Sequence, residues 1–468
     1  MKTQKVRLLS VTIKNLKNVV CGTFDFPKNK EEDGFSESAD VIGIYGQNGS
    51  GKTTVVQSLD LLKRIASGDE LWHDIVDCIH VDSESCFLEF RLAVETKKSE
   101  QFHATYSCEI AKSLDSKNGP GFVSEVLSLS KKNEDGSFGR MTPVFSFSAK
   151  NAEKILFEPK YKFDAVVQEN QQRLVKCLLA KEMAAKERKS FLFSPGLREL
   201  LASSEDTQLV DVVDTLSDFA RFSLFSIQNS HSGIISIDAV IPVAIKHKFQ
   251  GGMAIGDIPI VQQGAIVTDR ETFKIIKSVL DSMDCVIGAL VPGLSIQVIE
   301  HGSKLLKDGT EGIRYEVVSK RDGNKKPIPI RYESEGIRKL LSVLNVIIAS
   351  YNNPSVCVAI DELDAGIFEN LLGDLLKVFM ESGKGQLVFS SHNLRPLEVL
   401  GKQNIIFTTA NPDNRYIQLK NIRPSNNLRD CYIRALAVGG QDEKLATETD
   451  TVTIRRALRK AGTLNAEA

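Results

Sequence analysis

Apolar and polar positions alternate over residues 8–13, 86–94, 102–110 and 123–130. That two-residue period predicts strands with one buried face. Residues 15–26 read as a second strand, or a bend before one, closed by Pro27, and residues 28–40 as a polar loop. The turn Asn133-Glu134-Asp135-Gly136 announces a further strand, so this part of the chain predicts an antiparallel sheet. Residues 41–45 differ: Val41-Ile42-Gly43-Ile44-Tyr45 is continuously apolar, as in a strand buried on both faces. A helical period follows over 54–66, with Val55, Val56, Leu59 and Leu62 on one face and Gly68 just past the end. Residues 69–84 read as irregular.

Near residue 149 the pattern turns helical. Helices are predicted over 150–157, 165–189, 196–203 and 207–225, broken at Pro159 and Pro195. None sustains the heptads of a coiled-coil arm. Residues 226–249 look strand-rich, 270–290 form a helix stopped by Pro292, and 294–300, 312–319 and 328–332 read as strands with a hairpin turn at 321–324. Helix and strand then alternate over 335–351, 356–360, 368–381 and 386–390, the pattern of a second half of an α/β sheet. The predicted organisation is a first lobe over 1–148, a mainly helical insertion over 149–292, a second lobe over 293–440 and a polar tail over 441–468 with a short basic helix at 451–461. There is no internal repeat.

Composition narrows the classes. At 468 residues the chain is too long for one simple core. Its 59 Lys and Arg against 60 Asp and Glu leave a net charge of −1, which excludes a surface that traps polyanions everywhere but permits a local basic patch. The eight cysteines show no C-x-x-C pair and the seven histidines no H-x-x-x-H spacing, so reduced buried thiols and no structural zinc are expected. No apolar run approaches a membrane span, and the expected location is the cytoplasm.

Two stretches carry chemistry. Gly46-Gln47-Asn48-Gly49-Ser50-Gly51-Lys52-Thr53 fits G-x-x-x-x-G-K-[ST], between a buried strand and a helix. Glycines let backbone N–H groups close around phosphate oxygens, and the helix N-terminus adds positive potential. Lys52 is placed to reach the β- and γ-phosphates and the Thr53 hydroxyl to ligate Mg²⁺. The nucleotide-binding set is then Gly46, Asn48, Gly49, Ser50, Gly51, Lys52, Thr53 and Thr54, with ATP and Mg²⁺ as cofactors. The second stretch is Cys357-Val358-Ala359-Ile360-Asp361-Glu362, a buried strand delivering two acids at its end. Beside a phosphate loop, Asp361 would hold Mg²⁺ through water and Glu362 would act as general base on the attacking water. Alone, such an acid pair is equally a helix N-cap.

His392 directly follows the strand over 387–391, which brings it to the same sheet edge. Upstream, Glu333-Ser334-Glu335-Gly336 opens a helix carrying Leu340, Leu341, Leu344, Ile347 and Ile348. A Ser-x-Gly at a helix start can present amides and a hydroxyl to phosphate, or be an ordinary cap.

The order of these motifs resembles the ABC-type ATPase heads of the RecF, SMC and OLD group, and within it the AAA15-like bacterial branch. The opening Ile13-Lys14-Asn15-Leu16-Lys17-Asn18 is similar to that group's first strand and bend. The resemblance covers roughly 5–130 and 294–440, the stretch between being the group's variable insertion. It implies ATP hydrolysis, with Lys52, Glu362 and His392 in catalytic roles and His392 sensing the γ-phosphate. It also implies that Ser334 and Gly336 form the signature motif, contacting the ATP of the opposite subunit, and that Asp364 is the D-loop acid. A homodimer or higher homo-oligomer with ATP sandwiched between heads follows. Two departures stand out. The signature is Ser-Glu-Gly, not a Ser-Gly-Gly-Gln form, and the Q-loop glutamine has no place in 72–84, leaving Gln168 as the next candidate.

The function expected is an ATP-driven switch, the ATPase subunit of a multi-component system such as anti-phage defence, controlling a separate effector such as a nuclease. OLD-type proteins carry a fused Toprim nuclease after the head, whereas a short polar tail follows residue 440 here. PARIS-type systems, with a separate Toprim partner, are a precedent. The alternative is a RecF-like repair ATPase that binds DNA directly. Lys181, Lys186, Arg188, Lys189, Arg321, Lys325 and Lys326 are its candidate phosphate contacts, against the reading that they are solvated surface charge. A third reading is an ATP-stabilised scaffold. The insertion is expected to be the partner or assembly surface.

Overall fold

The computed structural model describes residues 4–113, 119–149, 155–204, 206–228, 240–249, 252–261, 264–306, 309–423, 426–447 and 450–464. Strands β1 (Lys5–Leu16) and β2 (Val19–Asp25) begin an antiparallel sheet, and β4 (Ser85–Glu95), β5 (Gln101–Ala111), β6 (Gly121–Lys131) and β7 (Thr142–Ser148) complete it in the order β2-β1-β4-β5-β6-β7. The alternation seen in the sequence is its cause: Phe102, Ala104, Tyr106, Cys108 and Ile110 of β5 all face one core.

The second sheet is the one that carries the candidate chemistry. It contains β3 (Asp40–Tyr45), β8 (Leu224–Ile227), β15 (Cys357–Ile360), β16 (Gln386–Ser390), β17 (Ile405–Thr408) and β18 (Tyr416–Ile417), in the order β18-β17-β3-β16-β15-β8. All pairs are parallel except β17 with β18. The interior positions of its central strands are apolar because both faces are covered. Ile42, Ile44, Cys357, Ala359 and Val388 join the core shared with the antiparallel sheet and α1 (Lys52–Ser67). Val41, Tyr45, Val358, Ile360, Leu387 and Phe389 join the opposite core.

Beyond α1 come the short α2 (Ile75–Cys78), then α3 (Lys160–Val167), α4 (Gln171–Lys186), α5 (Pro195–Ala202) and α6 (Thr207–Phe222). A hairpin of β9 (Val240–Phe249) and β10 (Gly252–Val261) follows. Next are β11 (Ile266–Asp269) and α7 (Arg270–Leu290), whose first turn is capped by Asp269. β13 (Glu311–Arg321) pairs with β12 (Leu294–Leu305), with β11 and with the two-residue β14 (Ile328–Pro329). The second core is roofed by α8 (Glu335–Asn352) and α9 (Glu369–Ser382); α10 (Pro396–Val399), α11 (Leu428–Val438) and α12 (Thr451–Leu464) close the chain.

Two buried side chains tie the sheets together. The Gln386 amide exchanges 2.8 Å hydrogen bonds with both the N–H and the C=O of Leu8. The Arg7 guanidinium donates to the carbonyls of Lys384 (2.8 Å), Ser38 (3.0 Å) and Pro354 (3.2 Å) and lies 3.8 Å from Asp40. Burial lowers the Arg7 pKa and lifts that of Asp40 to about 6.

Several expectations need correction. The helix read over 165–189 is two, separated at Gln168 and Glu169, both at φ 53°, with Asn170 capping α4. Residues 155–157 are not helical, and 150–154 lie outside the described residues. The helix read over 207–225 stops at Phe222, and its last residues open β8, which pairs with β15. Residues 28–40 hold a 3-10 turn, Glu31–Gly34, with Phe35 packed on Leu9 and Ala93. Among the described residues no helix is long and apolar enough to cross a membrane. Of the cysteines, Cys285 is exposed and five are buried.

Candidate nucleotide-binding site

The C-terminal ends of β3, β15 and β16 lie side by side, and each ends in candidate chemistry. β3 runs into the phosphate loop. Gly46 sits at φ +154°, and a Cβ there would meet the Thr408 hydroxyl at 1.7 Å, so only glycine fits. Gly49 and Gly51 also take positive φ, with Gly51 at the N-cap of α1. The loop is braced from β17 and β18: Thr408 donates to the Tyr45 carbonyl at 3.2 Å and bonds the Ser50 hydroxyl, and the Tyr416 hydroxyl donates to the Gly51 carbonyl at 2.9 Å. Asn48 and Gly49 are exposed at the mouth. Thr54 is buried, which leaves its backbone amide, in the unpaired first turn of α1, as the group able to serve a phosphate.

Lys52 folds back over the loop, donating to the carbonyls of Gly46 (2.9 Å) and Gln47 (3.0 Å). Burial lowers its pKa against the opposing pull of Asp361, Glu362 and Asp364. Thr53 Oγ1 donates to Asp361 Oδ1 at 3.3 Å, joining the phosphate loop directly to the acid pair. Asp361 is buried, and Glu362 turns out of the strand at φ 49°. Among the described residues no three His, Cys, Asp or Glu side chains gather as a metal cage. One carboxylate beside one hydroxyl is instead the sparse donor set that suits Mg²⁺, which keeps waters and takes phosphate oxygens. Asp361 and Thr53 therefore fit that ion.

Asp364 accepts the backbone amides of His392 (3.0 Å) and Asn393 (2.9 Å), so it holds the turn after β16 while the His392 side chain is exposed. Ser334 is the exposed N-cap of α8, accepting the Ile337 amide at 3.4 Å. Gly336 packs against the turn after β15: a Cβ on it would lie 1.8 Å from the Gly366 carbonyl oxygen. Gln168 is not brought to the loop; it ends α3 and donates to the Ser203 carbonyl at 3.4 Å.

Four contributors were not read from the sequence. Ser390 joins Asp361 to the Glu362 amide. Thr408 and Tyr416 brace the loop from strands far along the chain, and no local pattern points to them. Lys339 is buried on α8, its pKa lowered by burial and opposed by Asp361, Glu362 and Asp364. A lysine within the apolar face of a helix is a signal that could have found it.

The polar segment after α11 reaches the loop as well. The Gln47 amide accepts the Thr447 N–H at 2.9 Å and donates to its carbonyl at 3.3 Å, while Leu445 is buried and the Ala410 N–H donates to the Lys444 carbonyl at 2.7 Å. Of the candidate DNA contacts, Arg188 pairs with Glu70, Lys189 with Glu187 and Arg321 with Glu333, whereas Lys186, Lys325 and Lys326 are exposed.

No protein-family profile matches the chain, and no curated protein matches it. Solved structures do. An SMC head domain from Thermotoga maritima superposes with a TM-score of 0.38 at 13% identity, over 88% of this chain and 99% of that one. An SMC head bound to the C-terminal winged-helix domain of ScpA gives 0.37 at 13% identity, over 88% and 98%. The recombination mediator RecF with ATP gives 0.32 at 14% identity, over 83% and 92%. Likeness at this level carries no weight beyond the chain's own topology, which is an α/β P-loop sheet flanked by an antiparallel one.

Proposed function

We propose that the protein is an ABC-type ATPase that works as a nucleotide-driven switch, two heads closing over two molecules of ATP with Mg²⁺. The observation that carries this reading is the hydrogen bond from Thr53 to Asp361, which puts a phosphate loop and a carboxylate pair into one site. Lys52 leaves its loop carbonyls for the β- and γ-phosphates. Thr53 and Asp361 would hold Mg²⁺, which would draw charge from the phosphates. Glu362 takes the proton of the attacking water, and His392, fixed through its backbone by Asp364, meets the γ-phosphate. Ser334, exposed at the start of α8, serves the ATP of the opposite subunit.

The output of the switch is control of a separate effector, such as a nuclease in a multi-component defence system, through the 149–292 stretch. Support comes from coupling: Arg221 of α6 donates to the Ser67 carbonyl at the end of α1 at 2.6 Å, so a movement of α1 is passed on. The test is ATP turnover by the purified chain and by Lys52→Ala. Turnover lost in the variant is expected; equal turnover would remove the loop from the mechanism.

Direct binding of DNA, the second reading, is favoured by α12. Its Arg455, Arg456, Arg459 and Lys460 form one cationic arc on an exposed helix.

A further inference from the structure

Ser390 ends β16, fully buried between β3 and β15. Its hydroxyl donates to Asp361 Oδ1 at 2.5 Å and accepts the Glu362 amide at 2.8 Å. These directions are fixed, because an amide N–H only donates and an ionised carboxylate only accepts. The Ser390 carbonyl accepts the Leu363 amide at 3.1 Å, so one residue grips three successive positions of the neighbouring chain segment.

The grip answers a geometric problem. In a continuing strand, consecutive side chains point to opposite faces. Asp361 and Glu362 are consecutive, so a straight continuation of β15 would send their side chains to opposite faces. The chain instead turns Glu362 into a left-handed conformation, φ 49°, which a non-glycine residue adopts only at a cost. The hydroxyl of Ser390 is the side-chain group that receives the turned amide. At Asp361, Oδ1 takes two hydroxyls, Ser390 from β16 and Thr53 from the phosphate loop at 3.3 Å. The Thr53 oxygen would turn to a cation bound there, and Ser390 would then be the donor that stays.

We propose that Ser390 is a positioning residue for the metal and base pair: through one hydroxyl it orients the Asp361 carboxylate for Mg²⁺ and holds the backbone turn that sets Glu362 beside it. The proposal rests on the nucleotide-switch reading and adds to it the residue that couples metal ligand to base.

The test is titration of the full chain with a fluorescent, non-hydrolysable ATP analogue, with and without Mg²⁺, in wild type, Ser390→Ala and Ser390→Thr, each checked by thermal melting. Loss of a group that orients a metal ligand lowers metal affinity by about 10–100-fold. Ser390→Ala is therefore expected to bind the metal-free analogue as wild type does and to require about tenfold more Mg²⁺, or beyond, for the metal-dependent tightening. Ser390→Thr, which keeps the hydroxyl, is expected to restore it. An unchanged Mg²⁺ requirement in Ser390→Ala overturns the proposal. So does equal loss of metal-free binding, which marks a merely structural residue, or a threonine variant no better than alanine. A wild-type chain that binds no analogue counts against the nucleotide reading itself, not against Ser390.

Discussion

Gly336 stands where two demands meet. As part of a Ser-Glu-Gly at the start of α8 it can present its amide to a phosphate. Within its own chain it is also packed on the Gly366 carbonyl, where a Cβ would sit at 1.8 Å against backbone that cannot swing away. Gly336→Ala should therefore lower stability as overpacking does, by about 1–3 kcal/mol, read as a shift of the denaturant midpoint in the absence of nucleotide. A midpoint equal to wild type would mean that the α8 start and the 364–366 turn are free to part. Lys52 and Thr53 stood out as candidates by the spacing of their motif, and Asp361 by ending an apolar strand in a chain that also carries that motif. Gly366, Ser390 and Thr408 did not, because their partners are brought to them by the fold over separations of 30, 29 and 358 residues.

At the scale of elements, the long periodic segments were legible: α1, α7, α8, α9 and β16 lie where apolar spacing and caps put them. The errors share a cause. Leu224 and Phe225 extend the apolar run of α6, yet they enter the parallel sheet, where pairing with Cys357 and Val358 outweighs local periodicity. The break in the 165–189 helix falls at Gln168-Glu169-Asn170, with no glycine or proline to announce it. The start of α8 bears on the shared-site expectation. Because Gly336 is needed for packing within its own chain, Ser334→Arg, at an exposed cap, is the cleaner lesion. Mixing Lys52→Ala with Ser334→Arg subunits should restore part of the ATPase activity that each lacks alone, since one hybrid site is then whole. No recovery in subunits shown to exchange would place each site within one chain.

For the whole molecule, charge decides between a switch that acts on a protein effector and one that grips DNA. The net charge of −1 offers no general attraction, and Arg188, Lys189 and Arg321 are held in ion pairs. Duplex binding should accordingly be weak and steeply salt-dependent, and it should fall further when Arg455, Arg456, Arg459 and Lys460 are changed to glutamine, in a fluorescence-anisotropy titration at two salt concentrations. Tight binding that persists at high salt would instead favour the repair-ATPase reading.

The central claim is that ATP closes two heads and hydrolysis releases them. Glu362→Gln removes the proposed base, a change that usually slows turnover by about 10²–10⁴-fold, while Lys52, Thr53 and Asp361 are left to bind nucleotide. The most direct measurement is the mass of this variant in solution, by sedimentation or light scattering, with Mg²⁺ and either ATP or ADP. A doubled mass with ATP that relaxes with ADP is the expected result, and a mass that is the same with both nucleotides, at concentrations where ATP is shown to be bound, would contradict the account.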